Sequence, residues 1–240
     1  MALNRDLARR ALAEGIGTAL LVIAVVGSGI AATRLSPRDT GLQLLENALA
    51  TAGGLAAVII AVGSVSGAHL NPVVTLAQRA MRGIDTVSTV GYIAAQVVGG
   101  IVGVVVSNLM FDLSAVELSE KVRDGGGLVL AEVVATFGLL LVVFGVARAG
   151  GKALGAFGVA AYIGGAYFFT SSTSFANPAV TTARMLTDTF AGIAPESAPA
   201  FLGAQLVGGA LAVFAVRAFY PAAPETAADI VVPHSGDERA

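Results

Sequence analysis

The chain has 240 residues, 55% of them hydrophobic and only 12% charged, with a mean hydropathy of +0.80. Soluble domains carry roughly 25% charged residues, so this composition excludes an ordinary soluble domain and points to a multi-pass membrane protein. A net charge of −2 without a basic patch argues against a nucleic-acid partner, and zero cysteines exclude disulfides, thiolate metal sites and thiol-directed block by mercurials.

Charges cluster between apolar runs. Residues 1–10 read as a polar tail. Runs of about 20 apolar residues, the length that crosses a bilayer, occupy 11–33, 42–64, 87–110, 128–149, 154–169 and 199–219, the fifth being the shortest. Two pieces too brief to span, 71–81 and 177–186, open with Asn71-Pro72-Val73 and Asn177-Pro178-Ala179. Asn-Pro starts a helix, because proline at the first helical position gives up only an amide that had no partner. Short helices at membrane depth are tolerated only where protein or water surrounds them, so both pieces are expected to be re-entrant half-helices. Broken helices at corresponding places in two repeats point to a transport site. Residues 221–240 read as a second polar tail, expected to be disordered. The organisation is therefore a tail (1–10), a first half-repeat (11–110), an outer loop (111–127), a second half-repeat (128–220) and a tail (221–240).

The two halves match in three places. Ala13-Glu14-Gly15-Ile16-Gly17-Thr18 answers to Ala131-Glu132-Val133-Val134-Ala135-Thr136. Asn71-Pro72-Val73-Val74-Thr75 answers to Asn177-Pro178-Ala179-Val180-Thr181, and Ala95-Gln96-Val97-Val98-Gly99-Gly100 to Ala204-Gln205-Leu206-Val207-Gly208-Gly209. The offsets, 132−14 = 118, 177−71 = 106 and 205−96 = 109, are nearly constant and in the same order, which marks a duplication. Three spans per half is an odd number, so the halves are expected to be inverted in the bilayer. With the N-terminus cytoplasmic, Arg5, Arg9, Arg10, Arg79, Arg82, Arg148, Lys152, Arg217 and Arg239 lie inside, and Arg34, Arg38, Lys121, Arg123 and Arg184 outside. Nine against five favours both termini inside.

Six spans in inverted halves, Ser66-Gly67-Ala68-His69-Leu70-Asn71-Pro72, and a glutamate in the first and fourth spans together resemble the major intrinsic protein family, the aquaporins and aquaglyceroporins. The resemblance implies an all-α membrane protein with six transmembrane helices and two half-helices meeting at the bilayer centre. It also implies a homotetramer in which each protomer has its own pore. The physics fits: each half-helix N-terminus presents free amides and about half a positive charge, so two aimed at the centre repel cations and hydrated protons. Asn71 and Asn177 are the expected donors to permeating oxygens. The backbone before each motif is expected to expose a track of carbonyls, from Gly67, Ala68 and His69 below and from Thr173, Ser174 and Phe175 above. By resemblance, Glu14 and Glu132 are structural acceptors for the amides of these loops rather than a proton relay, and Gln96 and Gln205 are scaffold residues. His69 contributes backbone more than imidazole, and no metal, cofactor or catalytic role is expected. The hydroxyl run Thr170–Ser174 has no second histidine in the membrane region to activate it.

One departure from the family stands out. Most members carry arginine directly after the second Asn-Pro-Ala, whereas here Val180 follows. The other constriction positions, counted from the motifs, are Thr51, Gly165 and Ser174, so all four are expected to be small and uncharged. Such an aperture would admit bulkier neutral solutes and relax discrimination against anions. The run from Ser171 to Thr181, followed by Thr187-Asp188-Thr189-Phe190-Ala191-Gly192, resembles a bacterial aquaglyceroporin-like subgroup associated with arsenic resistance. That resemblance implies arsenite, methylated arsenicals, glycerol, urea and water as solutes and the bacterial plasma membrane as location. Arg184, one turn beyond Val180 on the same helix face, is expected at the outer mouth, with an Arg184–Asp188 surface pair as the alternative. Two other functions share these features: a secondary transporter with alternating access, which would need carboxylates at the substrate site, and a non-conducting adhesive protein, which would need bulky plugs.

Overall fold

The computed structural model describes residues 2–149 and 152–220; the polar tail at 221–240 lies outside them. Among the described residues the order is α1 (Ala2–Leu35), α2 (Thr40–Ser66), α3 (Pro72–Ala80), α4 (Thr86–Met110), α5 (Gly126–Ala149), α6 (Lys152–Phe169), α7 (Pro178–Arg184) and α8 (Ala198–Phe219). The N-terminal stretch is not a separate tail. Helix α1 runs through it, with Asp6 pairing Arg9 at 2.8 Å and Arg10 at 2.9 Å one turn on. Pairs at these spacings support a helix where apolar packing is lacking.

Helices α1, α2, α4, α5 and α8 are long and apolar enough to cross a membrane, while the apolar part of α6, Leu154–Phe169, is shorter. Eighteen residues of α6 still rise about 27 Å. Large apolar side chains stand outward along the helices, among them Leu49, Val90, Phe157 and Phe214 at 71% exposure, a surface suited to lipid rather than water. The starts of α2 and α4 are capped by Asp39 and Asp85, whose carboxylates accept from the Leu42 and Ser88 amides at 2.9 and 3.0 Å.

Packing repeats the duplication. Helix α1 packs on α2 and α4 as α5 packs on α6 and α8, and each half-helix touches both α4 and α8. Close approach depends on glycine at one matched pair of positions. A methyl at Gly99 would overlap the Gly15 backbone of α1, and one at Gly208 would strike the Val133 carbonyl of α5. Small residues at such crossings let backbones meet where lipid supplies no hydrophobic driving force.

Candidate functional site

Both half-helices are entered through an unusual backbone. Gly67, Ala68 and Leu70 have positive φ of 86°, 50° and 52°, and Thr173, Ser174 and Ala176 have 63°, 51° and 48°. Non-glycine residues in this region cost on the order of 1–3 kcal/mol each unless the surroundings hold them. A carboxylate does so in each half. Glu14 accepts from the His69 amide (2.9 Å), the Leu70 amide (2.7 Å), Ser66 Oγ (2.6 Å) and Gln96 Nε2 (2.8 Å). Glu132 accepts from the Phe175 amide (2.9 Å), the Ala176 amide (2.8 Å) and Gln205 Nε2 (2.7 Å). The same glutamines donate to Thr75 Oγ1 (3.0 Å) and Thr181 Oγ1 (2.8 Å) on the half-helices.

Those amide directions fix the carbonyls. Among the described residues all peptide bonds are trans, and in a trans peptide the C=O points opposite to the next residue's N–H. With the amides of 69, 70, 175 and 176 aimed at the glutamates, the carbonyls of Ala68, His69, Ser174 and Phe175 face the other way. These four residues line one cavity that is partly open to solvent, whereas Gly67 and Thr173 do not line it. The imidazole of His69 also reaches that cavity, held by Thr75 Oγ1 at 3.1 Å and edge-on against Tyr92.

Asn71 and Asn177 sit at the meeting point. Each Oδ1 caps its own half-helix, Asn71 accepting from the Val73 amide at 2.9 Å and Asn177 from the Ala179 amide at 3.0 Å, with Pro72 and Pro178 first in their helices. Each Nδ2 crosses to the other half: Asn71 donates to the Ala176 carbonyl (2.7 Å) and Asn177 to the Leu70 carbonyl (2.8 Å). An Nδ2 has two hydrogens, so one donor per asparagine is left, and both residues line the cavity.

The opposite wall is apolar: Leu21 and Val25 from α1, and Leu139 and Val143 from α5, matched at 139−21 = 143−25 = 118. Helix α2 contributes Thr51, Leu55 and Ile59, and α6 contributes Val159, Ile163 and Tyr167, two stripes with a period of four. Of the four counted constriction positions, Thr51, Ser174 and Val180 line the cavity. Gly165 does not, and lies on the exposed face of α6. Tyr167 takes its place, its hydroxyl 3.2 Å from Thr51 Oγ1. Two residues turn an α-helix by about 200°, so a connection to Asn177 two residues shorter than the count assumed exchanges glycine for tyrosine. Of the four counted positions, then, only Gly165 is off the cavity, and Tyr167, Phe175 and Arg184 share it with Thr51, Ser174 and Val180. The missed signal was the stripe itself, since Tyr167 answers to Ile59 at the same 108-residue offset as Ile163 to Leu55.

Above the pore, the outer loop lies along the segment after α7. The Glu117 and Ser119 amides donate to the carbonyls of Leu186 (3.1 Å) and Met185 (3.0 Å), and the Ala194 amide to that of Lys121 (2.8 Å). Arg184 is 3% exposed, and its guanidinium carbon lies 3.4 Å from the Phe175 ring centroid. It makes no pair with Asp188, whose Oδ1 accepts from the Glu120 amide at 3.1 Å and Ser119 Oγ at 3.4 Å. Three cations hold three successive carbonyls: Lys121 that of Phe190 (2.7 Å), Arg184 that of Ala191, and Arg123 that of Gly192 (2.8 Å). In the loop, burial first and then the charges of Arg123 and Arg184 bring Lys121 down to about 8, and burial brings Arg123 down to about 10.

The family model described as "Major intrinsic protein" matches residues 2–175. The chain is 44% identical over 212 residues to "Aquaglyceroporin AqpS" of Rhizobium meliloti (strain 1021), covering 88% of this chain and 90% of that one. It is 30% identical over 149 residues to "Probable glycerol uptake facilitator protein" of Thermotoga maritima, covering 56% and 63%. Its fold is similar to that of the aquaglyceroporin from Plasmodium falciparum, with a TM-score of 0.72, 20% identity, and coverage of 90% of this chain and 98% of that one. The chain therefore belongs to the major intrinsic protein family, with the aquaporin fold of a multi-pass membrane channel rather than an enzyme.

Proposed function

We propose that the protein is a passive aquaglyceroporin-type pore for small neutral solutes: glycerol, urea, water, arsenite and methylated arsenicals. The observation that carries this reading is one continuous cavity with four carbonyl-bearing residues and two asparagines on one side and an apolar wall on the other. A neutral solute with several hydroxyls exchanges its water for the polar side and lays its carbon skeleton on the apolar one. Val180 stands in that cavity where most of the family places arginine, and together with Thr51 and Ser174 it leaves that level without fixed charge. Alternating access finds no support, because Glu14 and Glu132 are buried and each is taken up by loop amides and a glutamine. In this reading four copies assemble in the bacterial plasma membrane, each conducting independently, with both termini cytoplasmic.

The test is light scattering of proteoliposomes with water, glycerol and urea gradients, and arsenite uptake, for the wild type and Val180→Arg. Glycerol, urea and arsenite should enter down their gradients without dependence on a proton or sodium gradient. The arginine variant should cut glycerol and urea entry about ten-fold or more, a barrier of ~1.4 kcal/mol, and spare water. Flux of water alone in the wild type would overturn the wide-pore reading.

A further inference from the structure

We propose that Arg184, one helical turn beyond Val180, forms an outer binding station that takes the oxygen atoms of permeating solutes and retains small oxyanions. The proposal rests on the channel reading and adds a second selectivity level to it. Four residues along α7 raise Arg184 about 6 Å above Val180 on the same face, and both side chains line the cavity.

The donors at this level have no protein partner. Arg184 spends only Nε on the Ala191 carbonyl. Its two terminal nitrogens bond nothing among the described residues, yet neither is sealed from solvent, and the face of the guanidinium is fixed by the Phe175 ring. Donors of an ionised group left in this state are satisfied from the cavity, by water or by solute. Ser174 is 4% exposed and its Oγ is buried without a partner. That hydroxyl is sealed from the cavity, so the guanidinium supplies the open donors. Across the cavity Tyr167 donates its proton to Thr51, so its oxygen offers only a lone pair, which accepts from a neutral solute and repels an oxyanion. The two unspent guanidinium nitrogens are thus the open donors beyond Val180.

Charge then decides the ligand class. No carboxylate lines the cavity. Behind the station Arg123 lies 5.0 Å from the same Phe175 ring, and Lys121 lies 4.9 Å from the Phe190 ring. The charged groups stacked on these two rings are therefore all cations. A neutral solute borrows the donors and moves on, a cation is rejected here although Val180 offers no charge, and a planar oxyanion the size of one guanidinium face dwells.

The experiment uses the full-length protein and sodium formate, with sodium chloride at equal osmolarity as the control. Urea flux into proteoliposomes is measured at pH 7 for the wild type, Arg184→Met and Arg184→Lys, beside the thermal unfolding of the same purified proteins. Formate should block wild-type urea flux saturably and raise its unfolding temperature above the chloride control. Arg184→Met should raise the half-blocking concentration at least about ten-fold, the scale of one charge-assisted hydrogen bond, and admit a sodium leak. Arg184→Lys should restore cation rejection while weakening the formate block. Urea flux and unfolding that respond alike to formate and chloride, or equal block in Arg184→Met, would overturn the station while leaving the channel standing. Absence of wild-type urea flux would instead count against the channel, and the formate shift in unfolding temperature would still decide the station.

Discussion

Asn71 and Asn177 secure each other's half of the pore: the Asn71 amide donates to the carbonyl just before Asn177, and the Asn177 amide to the carbonyl just before Asn71. The acceptors, Ala176 and Leu70, are residues with positive φ whose own amides are held by Glu132 and Glu14. The end-to-end contact of α3 and α7 is thus bonded at both ends, and each asparagine both caps its helix and ties it to the other. Asn71→Ala loses a cap, about 1 kcal/mol, and leaves a buried carbonyl unpaired, a further 1–3 kcal/mol or so. Thermal unfolding should show a similar loss for Asn177→Ala. The double variant should lose less than the sum, because the first substitution already loosens the contact that the second would break. Strict additivity would mean the two bonds act independently.

The buried carboxylates lead to a matched pair of outcomes. Glutamine at position 132 keeps one acceptor oxygen and turns an NH2 toward the Phe175 or Ala176 amide. A hydrogen bond to a charged group contributes about 1.5–3 kcal/mol, so Glu132→Gln should reduce stability by at least that amount. Glu14→Gln should cost more, since Ser66 Oγ also donates to Glu14. Yield of monodisperse protein and thermal unfolding would check the order. Normal folding of both variants with loss of proton-linked flux would instead revive a relay.

Glycine substitutions should separate packing from pore chemistry. Gly99→Ala and Gly208→Ala drive a methyl into the backbone of α1 and α5, and overpacking of this kind costs about 1–3 kcal/mol or more. Gly53→Ala on α2 meets nothing within 4 Å and should be neutral or stabilising by up to about 1 kcal/mol, through helix propensity. Thermal unfolding of the three variants in one detergent tests the contrast. Equal melting of Gly99→Ala and Gly53→Ala would mean that α1 and α4 do not meet as closely as drawn.

Much of this was legible in the sequence because a duplication reports on itself. Asn71 and Asn177, Glu14 and Glu132, and Gln96 and Gln205 recur at nearly fixed offsets, and each pair occupies equivalent places in the fold. Apolar runs located the spans because the bilayer dictates their length. What failed was counting across a connection. Gly165 was placed by number rather than by helix face, and a two-residue difference in the segment before Asn177 put Tyr167 there instead. The helical N-terminus was hidden because ion pairs, not apolar residues, support its first turns. The reach of Arg184 was half legible. Its register with Val180 follows from α-helical spacing, but the Phe175 ring and Ala191 carbonyl that hold it come from a loop whose path no periodicity fixes.

The outer mouth should also respond to pH. Lys121 sits beside Arg123 and Arg184, with Asp188 the opposing charge and Phe190 under its ammonium. Burial and the two arginines bring it to about 8, below the ~10.4 of a free lysine. A lysine lowered on folding is penalised in its charged form, so the penalty is complete below about pH 8 and is relieved as pH rises from there toward the unfolded value. Across the same window the mouth loses one of its three positive charges, while Arg123 near 10 keeps its own. Formate block of urea flux should therefore weaken a few-fold between pH 7 and 9 in the wild type, and thermal stability should rise slightly. Lys121→Met should show the weaker block at both pH values and a flat stability profile over that window. Identical pH curves for the two proteins would remove Lys121 from the field at the mouth, leaving Arg123 and Arg184 as its source.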